Sequence, residues 1–220
     1  MQKITHPTML PPVVIARLLE QHGSPLAPLA EEIYDLAIAY RIDAAFALAH
    51  CIVESQLGCK HEAQINCNAA LVRAVLTRLA APGSPLRPAD TTEPILPSRY
   101  SDDNGSGYVT YPSWLTGMEV YFRLLRLVFV NAWHEEKVEQ IAQAFLATMP
   151  GRRRAPNVAT RALTGAVATL RATGQGQSGE QPGALPVSQQ ELEAYVHRIE
   201  RYRAQFRVGA LVEAPTGQQK

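Results

Sequence analysis

The sequence predicts a mainly α-helical domain, and three observations carry that prediction. Residues 42–58, IDAAFALAHCIVESQLG, are apolar on nearly every side over a helix-length run, the pattern of a helix enclosed by others. Several further segments repeat apolar residues at helical spacing, among them Leu29, Ile33, Leu36 and Ala37, and Leu115, Met118, Phe122, Leu125 and Phe129. Proline, glycine, serine and aspartate gather in one aperiodic stretch, residues 81–107, whose length marks it as functional or disordered.

In chain order, residues 1–11 read as an extended, flexible lead. Residues 13–21 form a short amphipathic helix with Val14, Ile15, Leu18 and Leu19 on one side, broken by His22-Gly23. Ser24 is placed to cap a second helix with Pro25 at its first position, running to about Tyr40. Asp43 is a suitable N-cap for the apolar helix, and Gly58 a natural stop, since glycine adopts the left-handed conformation freely. Residues 71–79 can extend as a helix. Residues 113–132 carry the apolar stripe that includes Met118 and Phe122. Residues 135–147 turn Val138, Ile141, Ala142 and Phe145 inward, and residues 157–172 are helical by pattern. TGQGQSGEQPGALPV, residues 173–187, is a low-complexity insertion or linker. Ser188 and Glu191 then form a capping box ahead of Leu192, Tyr195, Val196, Ile199 and Phe206, and the end beyond Gly209 is expected to fray. The domain therefore spans residues 12–207, with flexible tails at 1–11 and 209–220. No internal repeat is visible.

Composition narrows the function classes. With 220 residues, 46% of them hydrophobic, one large domain with a substantial core is accessible. A formal net charge of +1 argues against a nucleic-acid footprint, which needs a clustered basic excess. The run Arg152, Arg153, Arg154 reads as a solvated loop. The longest apolar run, residues 124–130, is interrupted by Arg126 and falls short of the ~20 residues of a membrane span. The opening MQKITHPTMLPP lacks the charged-then-apolar order of a secretion signal, so an extracellular or cell-wall location calls for another export route. Cys51, Cys59 and Cys67 are an odd set, which suggests no disulfide framework. A Cys59–Cys67 bridge belongs only to an oxidising compartment. His50, Cys59, His61 and Cys67 match no common zinc spacing, so no metal is expected.

Glu54 is the only acid of the apolar helix after its cap, one turn beyond His50. Apolar surroundings disfavour its charged form, leaving the protonated state that a general acid needs near neutral pH. The plainer alternative is a helix-end acid paired with a nearby Arg or Lys.

YRIDAAFALAHCIVESQLG resembles the core motif of bacterial glucosaminidases, lysozyme-like enzymes that cut peptidoglycan glycan strands, and is similar to the endo-β-N-acetylglucosaminidase-like branch related to glycoside hydrolase family 73. The resemblance implies a lysozyme-like helical domain with a long loop or small β-hairpin over a cleft. It assigns the catalytic acid to Glu54, with Ser55 and Gly58 as companions. In that family an Asn-Pro-x-Asn-type turn shapes the cleft; Asn66 and Asn68 partly match, with Cys67 where proline is usual. YVTYPSWLTG, residues 108–117, resembles the aromatic segment, which implies that Tyr108 and Tyr111 line the site; Trp114 is placed either to stack on a sugar face or, by its helical spacing with Met118 and Tyr121, to pack in the core, and the core is the favoured reading. Tyr195-Val196 matches a closing helix. Phe145 to Pro150 retains only the proline of another motif, and Gly151 to Arg154 replaces its Asp/Asn cluster, with Asn157 a remnant. The likeness covers residues 12–207 and is most specific at 41–58 and 108–117.

The function expected on this basis is cleavage of peptidoglycan or a related N-acetylglucosamine polymer, without a cofactor. Glycoside hydrolysis usually employs a second carboxylate, and Asp102, Asp103 and Glu62 are the candidates. In the resembled enzymes the substrate's acetamido group or hydroxyl can replace it. A non-catalytic glycan-binding domain of the same fold is the alternative, and a helical adaptor ranks last.

Overall fold

A computed structural model describes residues 3–6, 10–73, 76, 107–132, 134–148 and 187–212. The protein is mainly α-helical. Helix α1 (Pro12–Gln21) starts on proline, which needs no N–H partner there, and buries Val14, Ile15, Leu18 and Leu19. A 3₁₀ turn (Ala27–Leu29) leads into α2 (Ala30–Tyr40). Ser24 therefore does not cap α2. Its hydroxyl instead accepts from Leu26 N at 3.1 Å and donates to Leu57 O at 2.6 Å, tying this turn to the exit of the central helix.

The central helix α3 (Ala44–Ser55) begins as predicted: Asp43 Oδ1 accepts from Ala45 N at 3.0 Å. All its residues but Val53 are buried. It stops before Gly58, because Gln56 and Leu57 both take left-handed backbone, with φ of 56° and 58°. Ser55 enforces the early exit by accepting Gly58 N at 2.8 Å. Gly58 serves packing as well as turning, since a Cβ there would sit 3.0 Å from the Trp114 ring.

Helix α4 (His61–Asn66) follows. Residues 67–73 then fold back as irregular chain, with Leu71 at φ 45°, so the helix expected from residue 71 is not present at 71–73. Leu76 is helical. This segment lies antiparallel to 108–111 through one bridge, Arg73 to Tyr108, and the bonds Val109 N to Val72 O (3.1 Å) and Tyr111 N to Asn66 O (2.9 Å). The anticipated hairpin or loop at 81–107 and the segments at 151–186 fall outside the described residues, apart from Gly107.

Helix α5 (Trp114–Arg123), capped by Ser113, continues as a π-helical segment, Leu124–Ala132. Leu115, expected in the apolar stripe, is exposed, whereas Met118, Phe122, Leu125 and Phe129 are buried. Gly117 lies so close to the Cys67 carbonyl that a Cβ would come within 2.2 Å of its oxygen, so only glycine lets α5 seat there. Helix α6 (Val138–Ala147) begins three residues later than the pattern at 135–147 suggested. Its approach is held in extended chain by the N-terminal lead: Ile4 N donates to Glu136 O and Asp43 N to Ile4 O, each at 2.8 Å. The lead is thus no free tail at this point, and Ile4 and Leu10 are wholly buried. Helix α7 (Gln189–Val212) starts on the predicted box, with Ser188 N on Glu191 Oε2 (3.1 Å) and Glu191 N on Ser188 Oγ (3.2 Å), and stays helical past Gly209.

Helix α7 runs along α3. The start of α3 meets the later part of α7, Asp43 with Arg203 and Arg207, and the end of α3 meets the earlier part, Glu54 with Tyr195. The two helices are therefore antiparallel. Helix α6 packs on α7, α1 on α2, and α2 on α5. Among the described residues no single helix is long and apolar enough to cross a membrane.

Candidate active site

His50 and Glu54 sit four residues apart on α3 and so share one face, the face that α7 covers. Both are buried; Glu54 is 5% exposed. Tyr195 of α7 inserts between them. Its hydroxyl contacts Glu54 Oε1 and lies 3.0 Å from His50 Nε2. On the other side of the imidazole, Tyr121 of α5 places its hydroxyl 2.8 Å from Nδ1. Phe46, Phe145 and the two tyrosines surround the ring, Phe145 edge-on at 4.4 Å. Four side chains from three helices thus form one continuous polar line through the core.

Arg73 closes the site from the irregular segment. One guanidinium nitrogen is 3.7 Å from Glu54 Oε2, with both side chains buried. The other donates to Phe145 O at 2.7 Å and Thr148 Oγ1 at 3.0 Å, at the carbonyl-rich C-terminus of α6, where a cation is favoured. The guanidinium also lies 5.7 Å from the Tyr108 ring centroid. Lys60 Nζ donates to the Glu54 backbone carbonyl at 2.6 Å.

Burial raises the Glu54 carboxyl above its usual range, and the Arg73 charge, the Tyr195 hydroxyl, Lys60 and Arg198 pull the other way. The same burial, aided by the Arg73 charge, lowers His50 to about 3. His50 is therefore a neutral imidazole, with one N–H donor and one bare acceptor nitrogen. The arrangement presents a carboxyl biased toward its protonated form, gripped on one oxygen by a hydroxyl.

Glu54 combines both readings of the sequence: it is an acid in apolar surroundings and also an ion-pair partner. Ser55, Asn66 and Asn68 are all buried, with their polar atoms engaged by the protein. Ser55 Oγ donates to Ala69 O, with Cys51 O, at 3.2 Å, within reach of the same proton. Asn66 donates to Glu62 O at 2.7 Å and accepts from Thr110 Oγ1 at 2.6 Å. Asn68 donates to Val72 O and Val109 O, each at 2.9 Å, and accepts from Val72 N at 2.8 Å. The two asparagines stitch 66–73 to 108–111 and thereby place Arg73. Tyr108 pairs with Arg73 in the backbone bridge and sets its ring 5.7 Å from the guanidinium. Tyr111 is buried with Val109 and Val120, against Gly117. Trp114 is half-buried and packs against the core and on Gly58. Glu62 is exposed at the start of α4, and Asp102 and Asp103 lie outside the described residues. No second carboxylate makes a hydrogen bond or ion pair with Glu54 among the described residues.

Sequence reasoning did not identify Arg73 or Tyr121 as parts of the site, and treated His50 only as a possible ligand. The four-residue step from His50 to Glu54 was the one readable signal. The three cysteines are free thiols, and no group of three or more His, Cys, Asp or Glu side chains among the described residues is placed to hold a metal ion.

Comparison with protein-family models, with curated proteins and with solved structures finds no match.

Proposed function

We propose that this protein is a glycosidase of lysozyme-like fold that cleaves peptidoglycan or a related N-acetylglucosamine polymer, with Glu54 as general acid. The observation that carries the reading is the burial of Glu54 at the end of an enclosed helix, its carboxyl raised by desolvation and one oxygen held by Tyr195. The ESQLG motif around it supports the choice of substrate class. Glu54 gives its proton to the glycosidic oxygen, the C1–O bond breaks toward that oxygen, and the substrate's own acetamido oxygen closes on C1. No second protein carboxylate is required by this route. Ser55, Asn66 and Asn68 act as scaffold.

The test is an assay of the purified protein on peptidoglycan, with mass analysis of the products, beside Glu54→Gln. The expected result is release of glycan fragments by the wild type and none by the variant. Equal clearing by both would discard the mechanism. A non-catalytic glycan-binding domain is favoured by one observation, the small exposure of Glu54. It predicts co-sedimentation with glycan without any cleavage.

A further inference from the structure

We propose that Tyr121 and His50 are positioning residues that fix which oxygen of Glu54 carries the acidic proton, directing it to Oε2. This deepens the general-acid reading and rests on it for its catalytic consequence. The protons along the buried line Tyr121–His50–Tyr195–Glu54 fix its direction.

Each tyrosine has one hydroxyl proton, and the neutral imidazole has one N–H. The Tyr121 hydroxyl makes no hydrogen bond other than that to His50 Nδ1 among the described residues. If Nδ1 carried the imidazole proton, two donors would face each other, or the Tyr121 proton would turn into the aromatic core with no acceptor. A buried unsatisfied donor is disfavoured by roughly tenfold to a hundredfold. Tyr121 therefore donates to Nδ1, and the imidazole proton sits on Nε2. That N–H points at the Tyr195 oxygen, 3.0 Å away. Tyr195, accepting there, turns its own proton to Glu54 Oε1. With Oε1 committed as acceptor, the proton of the neutral acid resides on Oε2.

Oε2 has no donor within hydrogen-bond reach among the described residues: the Arg73 guanidinium stands 3.7 Å away, with its other nitrogen held by Phe145 O and Thr148, and its charge opposes protonation of the carboxyl as a whole. The opposite order, with Glu54 donating from Oε1 to Tyr195, would reverse every bond in the line and strand the Tyr121 proton. The Tyr121 end thus sets the polarity of the whole chain. The charged and titratable groups around the carboxyl that share in its titration are Arg73, Lys60, Arg198 and Tyr195.

The experiment uses the full chain with ¹⁵N-labelled histidine, with His50 assigned by comparison with His50→Gln. Long-range ¹H–¹⁵N spectra should show His50 protonated on Nε2 and bare on Nδ1 throughout pH 4–8. In Tyr121→Phe the ring and its packing stay and the donor is lost. The tautomer bias should fall by about tenfold or more, and the Glu54 titration, followed by ¹³C, should move up as Tyr195 is freed to accept. On a peptidoglycan substrate kcat should fall with KM unchanged. A wild-type His50 protonated on Nδ1, or a Tyr121→Phe spectrum with the same tautomer and the same Glu54 titration, would overturn the assignment. The tautomer is read without turnover. Correct tautomers in a protein that cleaves nothing would uphold the proton order and remove only the general-acid role.

Discussion

Helix α3 carries a buried acid at each end, and α7 closes over both, yet the two acids are held in opposite ways. Asp43 is met by Arg203 Nε and NH2, each at 2.8 Å, by Arg207 at 2.7 Å and by the N–H of Ala45 at 3.0 Å. Glu54 has one guanidinium at 3.7 Å, and its close partner is a tyrosine hydroxyl. The Asp43 end is a staple. It joins α3 to α7 and, through the Arg203 bond to Lys3 O at 2.6 Å, to the N-terminal lead. The Glu54 end is underprovided with positive charge for its burial, which is why desolvation prevails there. The two acids share one helix face and differ in the donors each is given.

The comparison breaks most decisively at Glu54. Glu54→Gln should lower glycan cleavage by about 10²–10⁴-fold, the range of general acid catalysis, while Asp43→Asn should leave activity per folded molecule unchanged. Initial rates on peptidoglycan, normalised to folded protein, decide it. Equal losses in the two variants would erase the distinction. The fold responds to Glu54→Gln in a pH-dependent way. A carboxyl raised in the folded state contributes stability that is complete below its unfolded value of 4.5 and is lost as pH rises through the folded value. The variant should therefore lose less stability than the wild type over that interval in pH-series denaturation.

The next effect belongs to His50. Its fall from 6.5 to about 3 means that the unfolded chain binds a proton the folded chain refuses. Stability from this group is complete above 6.5 and declines as pH drops toward 3, by on the order of 5 kcal/mol in total. His50→Gln, which cannot protonate, should flatten that acid limb in urea titrations between pH 6.5 and 4. An unchanged slope would mean that protonation elsewhere governs acid unfolding.

At the staple the expected loss is structural. Removing one member of a buried pair costs about 3–5 kcal/mol, so Arg203→Met should lower the free energy of unfolding by that much, partly offset by Arg207. Tyr195 and Glu54 lie at the other end of the helix pair, so cleavage per folded molecule should persist. A parallel loss of activity would show that the two ends act as one unit.

Much of this architecture was legible in the residues. The enclosed helix, the Asp43 cap, the Ser113 start and the Ser188–Glu191 box all follow local rules that need no knowledge of the fold. Helix ends were less legible. Gly23, Arg41 and Cys67 each close a helix with left-handed backbone and bonds back to its last turn, and only the glycine announces this in sequence. Gln56 and Leu57 stop α3 because Ser55 and the neighbouring 67–73 segment hold the exit, a tertiary cause. At the site, the residue types were informative and their directions were not. Asn66 and Asn68 stood out as polar residues near the acid, but their amides turn inward to stitch two backbone segments together. Arg73 is brought to Glu54 by that stitching, and no spacing within the chain foretells it. Tyr121 looked like core because its ring is core; only its hydroxyl, aimed at His50, belongs to the site.

The smallest expected effect sharpens the comparison from the side of α7. Its first turn is secured by the reciprocal bonds between Ser188 and Glu191, about two turns before Tyr195, whereas the Arg203 staple lies further along. Ser188→Ala removes an N-cap, worth about 1 kcal/mol, and fraying should spread from that end. Tyr195 feels it first and Arg203 last. Amide exchange should quicken over the first turns of α7 and stay unchanged around Arg203. Cleavage should fall severalfold as Tyr195 spends less time on Glu54 Oε1, with the global unfolding free energy reduced by no more than the cap's share. Uniform quickening along α7 would mean that the helix opens as one body, and the two acids would then share a single wall rather than two independent ones.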